Sequence, residues 1–165
     1  MNKKNGSISV EGHWATITFK RQLPFSIEKV WEAITNPEQR EQWFGPTTIE
    51  PEKGGAIETI AEGPPAPVEV RRSKGKIISW DPPRLFEYEE ESSNAGKTII
   101  RFELQSLGNE TLFRLTNSGI STSDAGGYAP GWHAFIDRLE SYLENKPLPD
   151  WGQRYGEVQP AYEIY

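Results

Sequence analysis

The pattern of hydrophobic and polar positions changes character twice along the chain. Residues 14–23 read WATITFKRQL, and Ala15, Ile17, Phe19, Arg21 and Leu23 alternate with Thr16, Thr18, Lys20 and Gln22. A repeat of two sends successive side chains to opposite faces, so this run predicts a strand with one largely apolar face. Pro24 withholds a backbone donor and ends the ladder. Ser26 stands where an N-cap belongs, with Phe25 and Val30 spaced to close a hydrophobic staple across it. Val30, Trp31 and Ile34 then supply the buried stripe of a helix. Asn36-Pro37 restarts a second short helix, by cap and first-turn proline, through about Trp43.

From 44 to 91 the pattern shortens to alternating runs separated by Gly54-Gly55, by Gly63-Pro64-Pro65 with Pro67, and by Asp81-Pro82-Pro83. These residues supply turn backbone conformations, so strands are predicted at 47–51, 56–62, 68–80 and 84–91. Two more, at 97–106 and 111–118, are joined by the polar loop Leu107-Gly108-Asn109-Glu110. Ile100, Phe102 and Leu104 share one face of the first of these and Arg101 and Glu103 the other, so one face of the sheet is wet.

The second change comes at 131–145, GWHAFIDRLESYLEN, where Trp132, Phe135, Ile136, Leu139, Tyr142 and Leu143 recur in steps of three and four. That spacing marks one face of an amphipathic helix. Its start lies either near Asp124 or at Pro130, because Gly126 and Gly127 weaken an early beginning. The remaining residues, 147–165, contain three prolines and two glycines and are expected to form little beyond a short turn or an edge. Trp151, Tyr155, Tyr162 and Tyr165 nevertheless point to packing on the body or on a partner chain, because disordered tails are poor in aromatics.

Composition narrows the function classes. The 165 residues amount to about one domain, and six Trp, six Tyr and seven Phe supply large side chains able to fill a core or line a pocket. A net charge of −6 without any basic block argues against a nucleic-acid surface. The absence of cysteine removes disulfides, thiolate catalysis and Cys-type zinc sites, leaving His13 and His133 as the imidazoles. No metal and no cofactor is expected. The polar N-terminus and the lack of any long apolar run predict a cytoplasmic protein that does not insert in membranes. No Gly-x-Ser-x-Gly elbow, phosphate-cradling loop or His-Glu-x-x-His motif occurs, and Gly126-Gly127 reads as a hinge or lid.

Three strings carry a resemblance: FKRQLPFSIEKVWEAITNPEQREQWF, GKIISWDPPRLFEYE, and TLFRLTNSGI followed by GWHAFIDRLESYL. Together, with Val30-Trp31, Asn36-Pro37, Trp43, Gly131-Trp132 and Leu139 as the motif, they resemble the activator-of-heat-shock-protein-90-ATPase homologue-like branch of the SRPBCC (START and birch-pollen-allergen-like) superfamily. The resemblance covers about residues 14–145. It implies an α+β helix-grip fold: a curved seven-stranded antiparallel sheet around a long C-terminal helix, with two short helices after the first strand closing one end of a cavity. One such domain over 1–146, with a polar lead at 1–13, and an aromatic tail at 147–165 is the expected organisation. Members of the superfamily include lipid and hormone carriers, polyketide cyclases and aromatases, and many small bacterial proteins. The co-chaperone activity transfers weakly, since the two-domain activator also uses an N-terminal chaperone-binding domain.

Within that frame the expected cavity wall is Arg21, Trp31, Trp43, Tyr88, Phe102, Tyr128, Trp132, Phe135, Ile136 and Leu139. For Trp31 and Trp43 core packing competes with a role as cavity roof, and for the helix stripe the two readings overlap. Arg21 shares strand parity with apolar residues and therefore pairs with a carboxylate such as Glu58, binds an acidic ligand, or lies exposed at the strand end. Glu87, Glu89, Glu90 and Glu91 read as solvated strand surface, and His133 as a solvated or capping residue at the edge of the helix face. The leading functional expectation is noncatalytic binding of a small hydrophobic or aromatic molecule, with Arg21, Tyr88 or Tyr128 orienting a polar group. Alternatives are a polyketide cyclase or aromatase-like enzyme and a co-chaperone or protein-interaction module. A homodimer is compatible with either.

Overall fold

The alternating run Trp14–Leu23 forms strand β2 in a computed structural model that describes residues 4–92 and 96–162. It follows β1 (Ser7–Glu11) and leads into α1 (Ile27–Thr35) and α2 (Pro37–Trp43). Then come β3 (Thr47–Ile49), β4 (Ala56–Ile60), a single helical turn α3 (Val68–Arg71), β5 (Arg72–Asp81), β6 (Leu85–Ser92), β7 (Gly96–Leu107) and β8 (Glu110–Ser121). The long helix α4 (Thr122–Leu143) and a tail of α5 (Trp151–Val158) with a 3-10 turn (Gln159–Tyr162) complete the chain.

The strands form one antiparallel sheet in the order β1-β2-β8-β7-β6-β5-β4-β3. Helix α4 packs against it through β2, β8 and β1. This is the helix-grip fold, with eight strands instead of seven. The extra strand is β1, in the segment read as a polar lead. Its register with β2, Ile8 opposite Ile17, uses backbone pairing that the mostly exposed side chains of 7–11 did not advertise.

The local signals at the front act as expected. Ser26 Oγ accepts from Lys29 N at 3.3 Å, and Asn36 Oδ1 accepts from Glu38 N at 2.9 Å and Gln39 N at 3.3 Å. Both caps satisfy helix donors that have no partner inside the helix. In mid-sheet the inward positions fall into register: Phe19 opposite Leu115, Leu115 opposite Phe102, and Phe102 opposite Phe86. These residues are fully buried and form the centre of the core.

Three segments depart from the sequence pattern. Residues 68–71 make a helical turn instead of the first part of a strand, with Pro67 at its N-cap fixing the entry. Helix α4 starts at Thr122 and runs through both glycines and Pro130, so tertiary contact overrides propensity. The tail supplies that contact, and it is helical where little regular structure was expected. Asp150 caps α5 by accepting from Gln153 N at 2.9 Å, Trp151 Nε1 donates to Gly131 O at 3.2 Å, and Tyr155 Oη donates to Gly127 O at 3.1 Å. A Cβ on Gly131 would stand 3.3 Å from the Trp151 ring, so the missing side chain lets the two helices close. Tyr165 lies outside the described residues.

Arg21 is placed by α4, and His133 by the tail. Arg21 is buried and does not pair with Glu58, which bonds Arg72. Its Nη1 lies 2.7 Å from Asp137 Oδ1 and 3.4 Å from Glu140 Oε1, because β2 faces α4 and not the distant β4. Burial alone would raise the Asp137 pKa, but Arg21 and Arg154 outweigh it and hold the carboxyl below its usual range. His133 is fully buried instead of lying on a solvated edge. Gly6 N donates to Tyr162 Oη at 2.7 Å, so the tyrosine proton points to His133 Nδ1 at 2.9 Å. That leaves the imidazole proton on Nε2, 3.4 Å from Asp137 Oδ2. Burial pushes the His133 pKa down to about 4, against the pull of Asp137, and the ring is neutral at neutral pH.

Candidate functional site: a cavity at one end of the grip

The concave face of the sheet divides along its strands. At one end Phe86, Tyr88, Ile100, Phe102, Phe113 and Leu115 are at most 1% exposed and fill the space under α1, α2 and α4. Toward the other end the same strand parities continue with smaller or polar residues. Phe86 and Tyr88 give way to Glu90 and Ser92, Ile100 to Thr98, and Leu115 to Asn117. A cavity of about 650 Å³ opens there. Its apolar walls come from Phe44, Val70, Ile120, Trp132, Phe135 and Trp151. The loop between β4 and β5 forms one rim, held by Arg71, which donates to Ala61 O and Ala66 O and pairs with Glu62 at 3.1 Å. The N-terminal turns of α4 and the tail helix form the other.

Asn117 organises the wall. Its Nδ2 donates to Ile99 O at 3.0 Å, and its Oδ1 accepts from Trp132 Nε1 at 2.9 Å, fixing the indole against the stacked ring of Phe44. Beneath Phe44 lies Arg40, fully buried, with its guanidinium 4.6 Å from that ring centroid. Arg40 donates to Ile34 O at 3.1 Å and to Tyr88 Oη at 2.7 Å, and no carboxylate forms an ion pair with it among the described residues. Burial pushes the Tyr88 hydroxyl well above the usual tyrosine range, with Arg40 pulling partly back. Two residues along the same strand face, Glu90 is half-buried on the cavity wall. Burial pushes its pKa up to about 7, and Arg40 limits the rise. Among the described residues, no group of three or more His, Cys, Asp or Glu is arranged to hold a metal ion, and no helix is long and apolar enough to cross a membrane.

The sequence profile of the family described as Activator of Hsp90 ATPase homolog 1-like protein matches residues 24–144, most of the chain. The chain belongs to this family. Activator of Hsp90 ATPase homolog 1-like proteins form a branch of the SRPBCC superfamily, in agreement with the helix-grip architecture. Solved structures share the fold at low identity. CalU16 from Micromonospora echinospora is 19% identical, with 96% of this chain and 92% of that one covered at a TM-score of 0.72. The protein encoded by BPP1335 from Bordetella parapertussis is 21% identical, with 97% and 90% covered at 0.73. DynU16, from the dynemicin biosynthetic locus, is 22% identical, with 83% of this chain and 49% of that one covered at 0.69. A search of the curated proteins gave no match.

In this Activator of Hsp90 ATPase homolog 1-like protein, Tyr128, Trp132 and Phe135 border the cavity. The other residues expected at its wall lie outside that lining. Trp31, Trp43, Tyr88, Phe102, Ile136 and Leu139 are core residues, and Trp43 spends its indole donor on Ala33 O at 2.8 Å. Arg21 is committed to Asp137 and Glu140. Glu90, read as solvated strand surface with its neighbours, is on the cavity side because it shares parity with Phe86 and Tyr88. As wall residues, Glu90, Thr98, Asn117, Ser73 and the tail aromatics Trp151 and Tyr155 were not anticipated from the sequence. A usable signal existed on the strands: a switch from large apolar to small or polar residues at constant parity.

Proposed function

We propose that this protein binds a small apolar or aromatic molecule in the cavity between the sheet and α4, without catalysing its conversion. The observation that carries the reading is the cavity of about 650 Å³, within the range of roughly 300–1,000 Å³ usual for small-molecule sites. Phe44, Trp132 and Phe135 offer flat ring surfaces to it, and burial of an aromatic ligand against them supplies binding free energy at about 25 cal/mol per Å² of apolar surface removed from water. The imidazole of His133, the usual choice for proton transfer, is turned to Tyr162 and Asp137 and is not among the lining residues.

Native mass spectrometry and thermal shift against lipids, flavonoids and polyketides test the reading. A stabilising ligand bound one to one is expected, with its binding lost in Trp132→Ala and in Ser73→Trp, which crowds the cavity from the sheet side. Both variants should retain the far-UV circular dichroism of the parent. Binding that survives in both folded variants would place the ligand elsewhere and overturn the proposal.

A further inference from the structure

Glu90 is the one carboxylate that the inward parity of β6 carries into the cavity wall, and among the described residues no hydrogen bond or ion pair reaches it. Its cross-strand neighbours leave it accessible. On β7 it faces Thr98, and on β5 it faces Gly75, which has no side chain to lay over it. A Cβ at Gly75 would fall 1.7 Å from Glu89 O, so this position is held to glycine by the close approach of the two backbones. A carboxylate left this way in a partly apolar cavity lacks the protein partners that such groups ordinarily have.

The charges around it restrict what it can receive. Arg40 on α2 stands behind Tyr88 and acts on Glu90 electrostatically. Arg71 at the rim is spent on Glu62 and two main-chain carbonyls. Asp124 and Tyr128 of α4 and Tyr155 of α5 also border the cavity, the last with its hydroxyl given to Gly127 O. A cationic ligand would be set against the buried guanidinium of Arg40, and an anionic one against Glu90 and Asp124. A neutral ligand that offers a hydrogen-bond donor conflicts with neither.

Deepening the binding reading above, and resting on it, we propose that Glu90 is the polar anchor of the cavity and selects neutral aromatic molecules bearing a hydroxyl donor. The ionised carboxylate accepts the ligand hydroxyl in a charge-assisted hydrogen bond, while Phe44, Trp132 and Phe135 cover the ring. Binding is then linked to ionisation. Because burial brings Glu90 to about 7, affinity for a hydroxyl ligand should rise as pH passes upward through that value. The same ligand with its hydroxyl methylated should lack the rise.

The test uses 2-naphthol and 2-methoxynaphthalene as probes, titrated by calorimetry and fluorescence between about pH 5.5 and 8.5, where both stay neutral. In the parent protein 2-naphthol should bind about tenfold more tightly than the ether at the upper end, with the ratio shrinking toward the lower end. In Glu90→Gln and Glu90→Leu the preference should fall to about twofold or less and lose its pH dependence, with ether binding retained. Equal binding of the two probes to the parent, or an unchanged preference in both variants, would overturn the anchor role and leave the cavity reading standing. Failure of both probes to bind the parent at millimolar concentration would overturn both. As a second readout, the carbon-13 shift of the Glu90 carboxyl should titrate at lower pH when 2-naphthol is bound, which a merely structural role would not produce.

Discussion

The two ends of the concave sheet are made from the same strands, and they differ in what each strand places at its inward positions. Under the short helices the inward residues are Phe86, Tyr88, Ile100, Phe102 and Leu115, which are at most 1% exposed, with the rings of Tyr88 and Phe102 packed on Phe86. Toward the start of α4 they become Glu90, Ser92, Thr98 and Asn117, whose volumes are smaller, and space remains. A sheet curved around a helix therefore encloses core or cavity according to side-chain size at fixed parity. The aromatic residues that look like a binding surface in the sequence are largely those that fill the fold.

Substitutions at equivalent parity on the two ends break this comparison most severely. Phe102→Ala, in the filled end, should cost about 3–5 kcal/mol in urea unfolding because its neighbours cannot collapse into the space. Thr98→Ala, two positions beyond Ile100 on the same face, should cost less than about 1 kcal/mol, since the removed methyl and hydroxyl border space already present. Similar losses at the two positions would mean that the open end is packed like the closed one.

A smaller effect sharpens the electrostatic side of the contrast. An unfolded glutamate titrates near 4.5, and burial raises Glu90 to about 7 in the folded chain. Between those values the folded protein holds a proton that the unfolded chain releases, so this group lowers stability progressively as pH rises through the interval. Glu90→Gln should therefore raise the unfolding free energy at pH 8, on the order of 1 kcal/mol after allowance for screening through the cavity, and change little at pH 4.5. Thermal melts of both proteins at the two pH values check it. Equal effects at both would show that the Glu90 carboxyl is ordinarily solvated.

Much of the scaffold was legible because local chemistry specified it. Ser26 and Asn36 cap the helices their positions suggest, and the alternation in 14–23 and 97–106 gives the faces of β2 and β7. What was not legible depends on contacts between distant segments. Strand β1 exists by backbone pairing with β2, and the early start of α4 and the helicity of the tail support each other through Trp151, Tyr155 and Gly131. Arg21 showed its need for a carboxylate, but Asp137 is 116 positions away and only the packing of α4 on β2 chooses it over Glu58. For the site, large aromatics on α4 led to Trp132 and Phe135, which border the cavity, whereas the sheet side was set by small residues that attract no notice singly.

If the open end of the sheet is space that a small aromatic molecule enters, a bound probe must perturb the residues that line it. Chemical-shift mapping of the labelled protein with 2-naphthol tests this most directly. The shifts should concentrate on Glu90, Thr98, Asn117, Tyr128 and Trp132 and leave Phe102, Leu115 and Phe113 at their free positions. Shifts centred on the filled end, spread over the outer face of the sheet, or absent at saturating probe would contradict it.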